Sequence, residues 1–225
     1  MARRLLVSAL ILLTTACTTV VPGRPVAGSA PPAPVPTVGC EYPLVTGEPR
    51  YRRNPPEDGL APAGGTHTVR IDTNRGRVDV ELDAASAPCS VNSVRHLVGN
   101  GSYRSTSCHR LTVEGIWVLQ CGDTDDNEVG TPGYTFDDPT AKTGGYTRGV
   151  VAMANAGPGT NGSQFFIVYR DSPLISADFP VIGRVTVGMD VVDAVAAGGV
   201  IPGTGYTEGD GEPATSLVFL AVEPA

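Results

Sequence analysis

Few side chains in this sequence could do chemistry, and most familiar constellations are absent. The 225-residue chain has three His, no Gly-x-Ser-x-Gly, no His-Glu-x-x-His and no phosphate-binding loop. Nothing in the spacing points to a Ser-His-Asp triad. Asp123-x-Asp125-x-Asn127 has the alternation of a calcium loop. Such a loop needs Gly at its sixth position and Glu at its twelfth, where this chain has Glu128 and Tyr134, so it reads as a solvated acidic turn. Two segments stand out. One is His109-Arg110 followed by Gln120-Cys121-Gly122-Asp123. The other is Met153-Ala154-Asn155-Ala156-Gly157-Pro158-Gly159-Thr160-Asn161-Gly162-Ser163-Gln164-Phe165-Phe166-Ile167. Between them they offer a guanidinium, two amides and adjacent aromatic rings. A guanidinium stays charged at any working pH and donates hydrogen bonds from a rigid fork. The chemistry on offer is stabilisation by a fixed donor, not covalent attack.

These two segments together resemble the cyclophilin family of prolyl isomerases, the second almost letter for letter. The general resemblance covers about 67–222. It implies a mainly β fold: a closed eight-stranded antiparallel β-barrel capped by two α-helices. It also implies an activity that needs no metal and no cofactor, acting on proline-containing polypeptides. Turning an X-Pro bond means twisting a partial double bond against a barrier of roughly 20 kcal/mol. The enzyme must hold the ring, exclude water and favour the twisted state over both planar ones. In that state the prolyl nitrogen gains a lone pair, to which a fixed guanidinium can donate. Carried over residue by residue, Arg110 matches the catalytic arginine. Gln120 and Gln164 match two glutamines that contact substrate and steady that arginine. Asn155 and Ala154 match backbone that hydrogen-bonds the peptide beside the proline. Phe166 matches the aromatic floor of the proline pocket. Trp117-Val118 and Ile175 match wall positions. The chain departs from the family in three places. About two extra residues separate Arg110 from Gln120. Leu174 stands where many members have Trp, which implies weak inhibition by cyclosporin. Phe179 stands where many have His, which makes the pocket rim more apolar. Outside this motif Arg110 would read as a surface ion-pair partner and Trp117 as core. His109 and His96 read as structural. Phe165 and Phe166 are adjacent on a strand and point to opposite faces, so one is core and one is pocket.

The elements that must position these residues are legible as periodicity. Val69 and Ile71 alternate with Arg70 and Asp72. After the turn Asn74-Arg75-Gly76, Val78, Val80 and Leu82 alternate again, which predicts a hairpin over 67–83. Ser86 and Pro88 open a helix whose Val91, Val94, Leu97 and Val98 share one face, ended by Gly99 or Gly101. Short strands follow around 108–112, 116–121, 149–153, 164–169 and 181–185. A second helix runs from about 188 to 197, buried through Val191, Val192 and Val195, and 216–222 makes a last strand. Many short strands with two helices suggest a closed antiparallel barrel by themselves.

Ahead of this domain (67–225) the composition changes. Residues 1–16 have the form of an export signal: Arg3 and Arg4, then an apolar stretch from Leu5 to Leu13 too short to span a bilayer. Thr14-Thr15-Ala16-Cys17 resembles a bacterial lipoprotein cleavage site, with Cys17 as the lipidated residue, although Thr14 stands where Leu is usual. The alternative is an ordinary secretory signal. Residues 17–66 read as a Pro/Ala/Gly-rich tether and N-terminal arm with little regular structure beyond what Cys40 pins down. The expected location is therefore the outer face of the cytoplasmic membrane, reached through an N-terminal lipid anchor.

Four further cysteines, Cys40, Cys89, Cys108 and Cys121, allow three pairings in an oxidising compartment. Cys108 and Cys121 flank a predicted hairpin, which favours that pair; Cys40 with Cys89 would then tie the arm to the domain. Four reduced thiols are the alternative, and the absence of a CxxC pair argues against metal. The net charge is −7. Removal of 1–16 takes away Arg3 and Arg4 and leaves 14 basic against 23 acidic residues, or −9. So acidic a protein has no electrostatic reason to seek nucleic acid. Nothing calls for more than a monomer. Two functions remain in view: a prolyl isomerase assisting the folding of exported proteins, and a proline-segment-binding chaperone module with little turnover. The retention of Arg110, Gln120 and Gln164 favours the first.

Overall fold

The structure, a computed structural model, describes residues 34–45, 55–57, 59–124, 131–139 and 141–225. The export signal, Cys17, the first part of the tether, Asp125 and Asn127 lie outside the described residues. The predicted hairpin is present as β3 (Thr66–Thr73) and β4 (Gly76–Asp83). Val69 faces Val80 and Ile71 faces Val78, so a single face of the hairpin enters the core. Gly76 closes the turn at φ 136°, a conformation side chains disfavour, and a Cβ there would lie 2.9 Å from a methyl of Val191. Next come α1 (Pro88–Gly99), β5 (Cys108–Thr112), β6 (Val118–Cys121), β7 (Val150–Met153), β8 (Phe165–Val168) and β9 (Val181–Val187). The chain ends with α2 (Met189–Ala197), the two-residue β10 (Asp210–Gly211) and β11 (Phe219–Pro224). Both helices bury the faces expected of them.

Every strand pairing is antiparallel, in the order β10-β5-β6-β8-β7-β9-β4-β3-β11. The sheet is strongly curled, and three backbone hydrogen bonds link the segment leading into β5 with β11 and the residues before it. Ser105 N–H donates to Phe219 C=O (2.8 Å), Phe219 N–H to Thr106 C=O (2.9 Å) and Cys108 N–H to Leu217 C=O (3.0 Å). The eight expected strands are thus joined by a ninth, β10, appended to the edge of β5. Inside the curl, Leu111, Leu119, Ile167, Ile182 and Phe219 are essentially inaccessible. Each such side chain stabilises the fold by about 1.5–3 kcal/mol.

The N-terminal arm differs from expectation. Thr37–Cys40 (β1) and Gly59–Pro62 (β2) form a separate antiparallel pair, and Cys40, Tyr42 and Ala61 join the main core. Periodicity does not reveal this, because each strand is four residues long and includes a glycine. Long-range anchors impose the order instead. Cys40 is disulfide-bonded to Cys89 in the first turn of α1. The Tyr42 hydroxyl donates to the Cys89 carbonyl (3.0 Å) and accepts from Asn92, while its ring meets Tyr134 and Phe136 edge-on. Cys108 and Cys121 form the second disulfide, across β5 and β6. Asp123, expected in a solvated turn, is buried.

Ala87, at the head of α1, has no capping side chain. Asp138 supplies an acceptor from a distant loop, taking the Ser90 N–H at 2.8 Å. Burial pushes the Asp138 carboxyl above the usual carboxylate range, outweighing the hydrogen bonds that favour its charged form.

Two outcomes follow for stability. The Cys40–Cys89 bridge closes a loop of 49 residues and Cys108–Cys121 one of 13. Loop-closure entropy predicts losses of about 4 and about 3 kcal/mol when each pair is replaced by serines, read from denaturant unfolding. For Asp138 the native state holds its proton more tightly than the unfolded chain. Its contribution should therefore be fullest at and below the ordinary carboxylate value. It should decline as pH rises toward the higher native value, and Asp138→Asn should abolish that slope in unfolding curves taken across pH 3–7.

Candidate active site

The strands β6, β8 and β7 present two apolar faces, and this is what builds the site. Their inward residues fill the main core. Outward residues of β6, β7 and β8, with Tyr146 from the loop before β7, form a second cluster of Val118, Tyr146, Val150, Ala152, Phe166 and Val168. Phe165 and Phe166 divide as the alternation demands. Phe165 packs with Tyr103 and Phe219 in the core, and Phe166 packs with Tyr146 and Phe179 in the outer cluster. Strand register then lays Arg110, Gln120, Phe166 and Ala152 in one row across four strands. At the strand spacing of about 4.8 Å, the backbones of Arg110 and Phe166 are roughly 10 Å apart.

Arg110, Gln120 and Phe166 of this row line a groove of about 700 Å³. Of the residues predicted from sequence, Arg110, Gln120, Gln164, Val118, Ala154, Asn155, Phe166, Ile175 and Phe179 all line it. Arg110 Nη1 donates to Gln120 Oε1 (3.2 Å), and Gln120 Nε2 donates to Gln164 Oε1 (2.5 Å). Gln164 is 4% exposed, and its Nε2 has no hydrogen-bond partner among the described residues, which leaves a buried donor beside the groove. Beneath it Tyr103 donates to the Ser163 carbonyl (2.8 Å), and burial pushes the Tyr103 phenol far up, so it remains a neutral donor. Asn155 is braced by its side chain, which donates to Asn161 and to the Asp178 carbonyl and accepts the Gly157 N–H.

Two positions singled out in the sequence, Trp117 and Leu174, stand elsewhere. Trp117 points away from the groove. Its ring packs toward the main core with the Arg170 guanidinium 5.0 Å from its centroid. Alternation is the reason: Ile116 and Val118, on either side of it, are the groove residues. Leu174 is 75% exposed and does not line the groove, because a tight turn from Ser172 to Ile175 carries Ile175 inward and leaves Leu174 outside.

Several groove features had no reading in the sequence. The Tyr146 hydroxyl donates to the Phe179 carbonyl and accepts the Phe179 N–H, clamping that loop and setting Phe179 edge-on to Phe166 at 5.6 Å. Val45, on the arm, lines the groove beside Thr131 and Thr135; its N–H donates to the Gly133 carbonyl. His109, read as structural, lies on the groove wall. Asp210 of β10 takes the Arg110 guanidinium side-on, with Nε at 2.8 Å from Oδ1 and Nη2 at 2.9 Å from Oδ2. The only sequence signal for Asp210 is an acid between two glycines, a hundred residues from its partner.

Comparisons with known proteins agree with this geometry. The family model described as "Cyclophilin type peptidyl-prolyl cis-trans isomerase/CLD" matches residues 68–216. A "Probable peptidyl-prolyl cis-trans isomerase B" of Mycobacterium leprae is 39% identical over 197 residues, covering 81% of this chain and 65% of the relative. Its namesake in Mycobacterium tuberculosis is 37% identical over 198 residues, covering 81% and 63%. The chain thus spans just under two thirds of the length of these relatives. Among solved structures, a cyclophilin type peptidyl-prolyl cis-trans isomerase of Cryptosporidium parvum superposes with a TM-score of 0.57 at 26% identity, covering 72% of this chain and 98% of that one. The same protein in the presence of the dipeptide Ala-Pro gives 0.55 at 27% identity, covering 70% and 98%. With a family model matched over residues 68–216, well over half of its length, on a fold that brings its arginine, glutamines and phenylalanine to one groove, the chain belongs to the cyclophilin type peptidyl-prolyl cis-trans isomerase family.

Proposed function

We propose that this chain is a peptidyl-prolyl cis-trans isomerase that accelerates isomerisation of X-Pro bonds in exported polypeptides and so assists their folding. One observation carries the reading: a guanidinium fixed from two sides, by Asp210 and by Gln120, in a row with Phe166 along an open groove. The groove has the parts the reaction calls for. Phe166, Phe179, Val118 and Ile175 offer an apolar slot for the pyrrolidine ring. Gln164 steadies the row by accepting from Gln120 Nε2. Arg110 is a donor for the prolyl nitrogen as its lone pair develops. Catalysis requires these contacts to be stronger in the twisted state than in either planar isomer, and each 1.36 kcal/mol of that difference gives about tenfold in rate.

Export and anchoring are part of the proposal and rest on the N-terminal sequence. Arg3-Arg4, the apolar stretch and Ala16-Cys17 support a lipidated N-terminus at Cys17 on the outer face of the cytoplasmic membrane. The two disulfides suit an oxidising compartment.

The full chain should accelerate cis-to-trans conversion of a short proline peptide in a coupled assay. Arg110→Ala should cost about 100-fold in kcat/KM, the scale set by removing one preorganised charge-stabilising donor. A full chain that binds proline peptides without accelerating their isomerisation would instead be a binding module. In cells fed a labelled fatty acid, the protein should carry label, and Cys17→Ala should be unlabelled.

A further inference from the structure

The groove contains one lysine or arginine side chain among the described residues, and a carboxylate holds it. We infer that Asp210 is the positioning residue of the catalytic guanidinium, delivered to it by the loop that follows α2; this inference rests on the isomerase reading above. A guanidinium has five N–H bonds. Asp210 accepts from Nε and Nη2, and Gln120 accepts from Nη1. Two N–H bonds therefore remain, one on each terminal nitrogen, and these are the ones a substrate can use. The side chain of Asp210 is 8% exposed and that of Arg110 34%, so the pair is closed on the protein side and open on the groove side. A bidentate contact fixes the plane of the fork as well as its place, whereas Gln120 alone would leave the guanidinium free to rotate about one bond.

The loop is built to keep Asp210 where it is. β10 pairs with β5 so that Asp210 faces Thr112 and Gly211 faces Leu111, beside Arg110 on the same strand. Gly209 C=O accepts the Val113 N–H, and Asp210 N–H donates to Thr207 C=O. Residues 201–205 fold back over β10. Ile201 N–H donates to Glu212 C=O, and Thr204 Oγ1 accepts the Glu212 N–H. The approach is so close that a Cβ on Gly205 would fall 1.8 Å from the Asp210 carbonyl oxygen, and one on Gly211 2.6 Å from Thr204 Oγ1. Thr204, Gly205, Asp210, Gly211 and Glu212 also line the groove, and the side chain of Asp210 spends both its oxygens on Arg110. Its effect on the reaction passes through Arg110.

The test compares full chains carrying Asp210→Ala, Asp210→Asn and Asp210→Glu, alone and with Arg110→Ala, by kinetics on a short proline peptide and by NMR of the Arg110 Nε–H. Positioning predicts that Asp210→Ala lowers kcat about tenfold with KM little changed. Asp210→Asn, which keeps the shape and one acceptor oxygen, should lose less, and Asp210→Glu should recover part of the loss. In the Arg110→Ala background Asp210→Ala should cost nothing further, because the two residues act as one unit. The Nε–H should exchange slowly with water in the wild-type chain and rapidly in Asp210→Ala. Wild-type kcat in Asp210→Ala, losses that multiply in the double variant, or unchanged Nε–H exchange would each overturn the inference. A wild-type chain that shows no isomerase activity would overturn the functional reading instead, and the exchange measurement would then decide the positioning on its own.

Discussion

A cationic side chain at the mouth of an apolar groove must be kept from wandering, and much of the architecture around this site does that. Arg110 emerges from β5, its fork gripped on one side by Asp210 and on the other by Gln120, which is itself held by Gln164. A bidentate pair of this kind is stronger and more directional than a lone surface ion pair. Stripping one member from a buried pair costs about 3–5 kcal/mol, and the one-third exposure of Arg110 reduces that figure here. The three holding residues come from three different strands or strand ends, so the guanidinium is placed by the sheet's register and not by any local motif.

The same sheet has to serve two interiors. In β7 and β8 the inward side chains close the main core while the outward ones join a second apolar cluster, so the usual alternation of buried and solvated residues disappears. Packing on each side restrains the strands that carry Arg110, Gln120 and Phe166. The Cys108–Cys121 bridge spans the β5–β6 pair beside Arg110 and Gln120, which face one another across it. The arm extends this economy: Tyr42 completes the core beneath α1, and a few residues later Val45 reaches the groove.

Read as a sequence, the chain already determined a good deal. The hairpin and both helices are visible from alternation of 2 or 3.6 residues, because each buries one face against a single core, whereas strands apolar on both faces, such as Val150–Met153 and Phe165–Val168, show only as short apolar runs. The stretch Met153 to Ile167, with His109-Arg110 and Gln120, carried the resemblance to the family, because a long run of matched residue types outweighs a change of spacing between Arg110 and Gln120. The cysteine pairing was legible only as a preference, resting on a predicted hairpin. Composition and the N-terminal residues pointed to export, a matter that lies outside the described residues.

Tertiary structure decided what depends on contacts distant in sequence. Asp210 sits a hundred residues from the arginine it holds, on a strand of two residues that no periodicity can reveal. β1 and β2 are ordered by one disulfide and one buried tyrosine, so a Gly- and Pro-rich stretch that reads as tether becomes part of the core. Trp117 falls between Ile116 and Val118, which line the groove, so alternation turns its ring toward the main core. Local pattern records which residues face a core; which partner waits across the fold is recorded only once the chain has closed on itself.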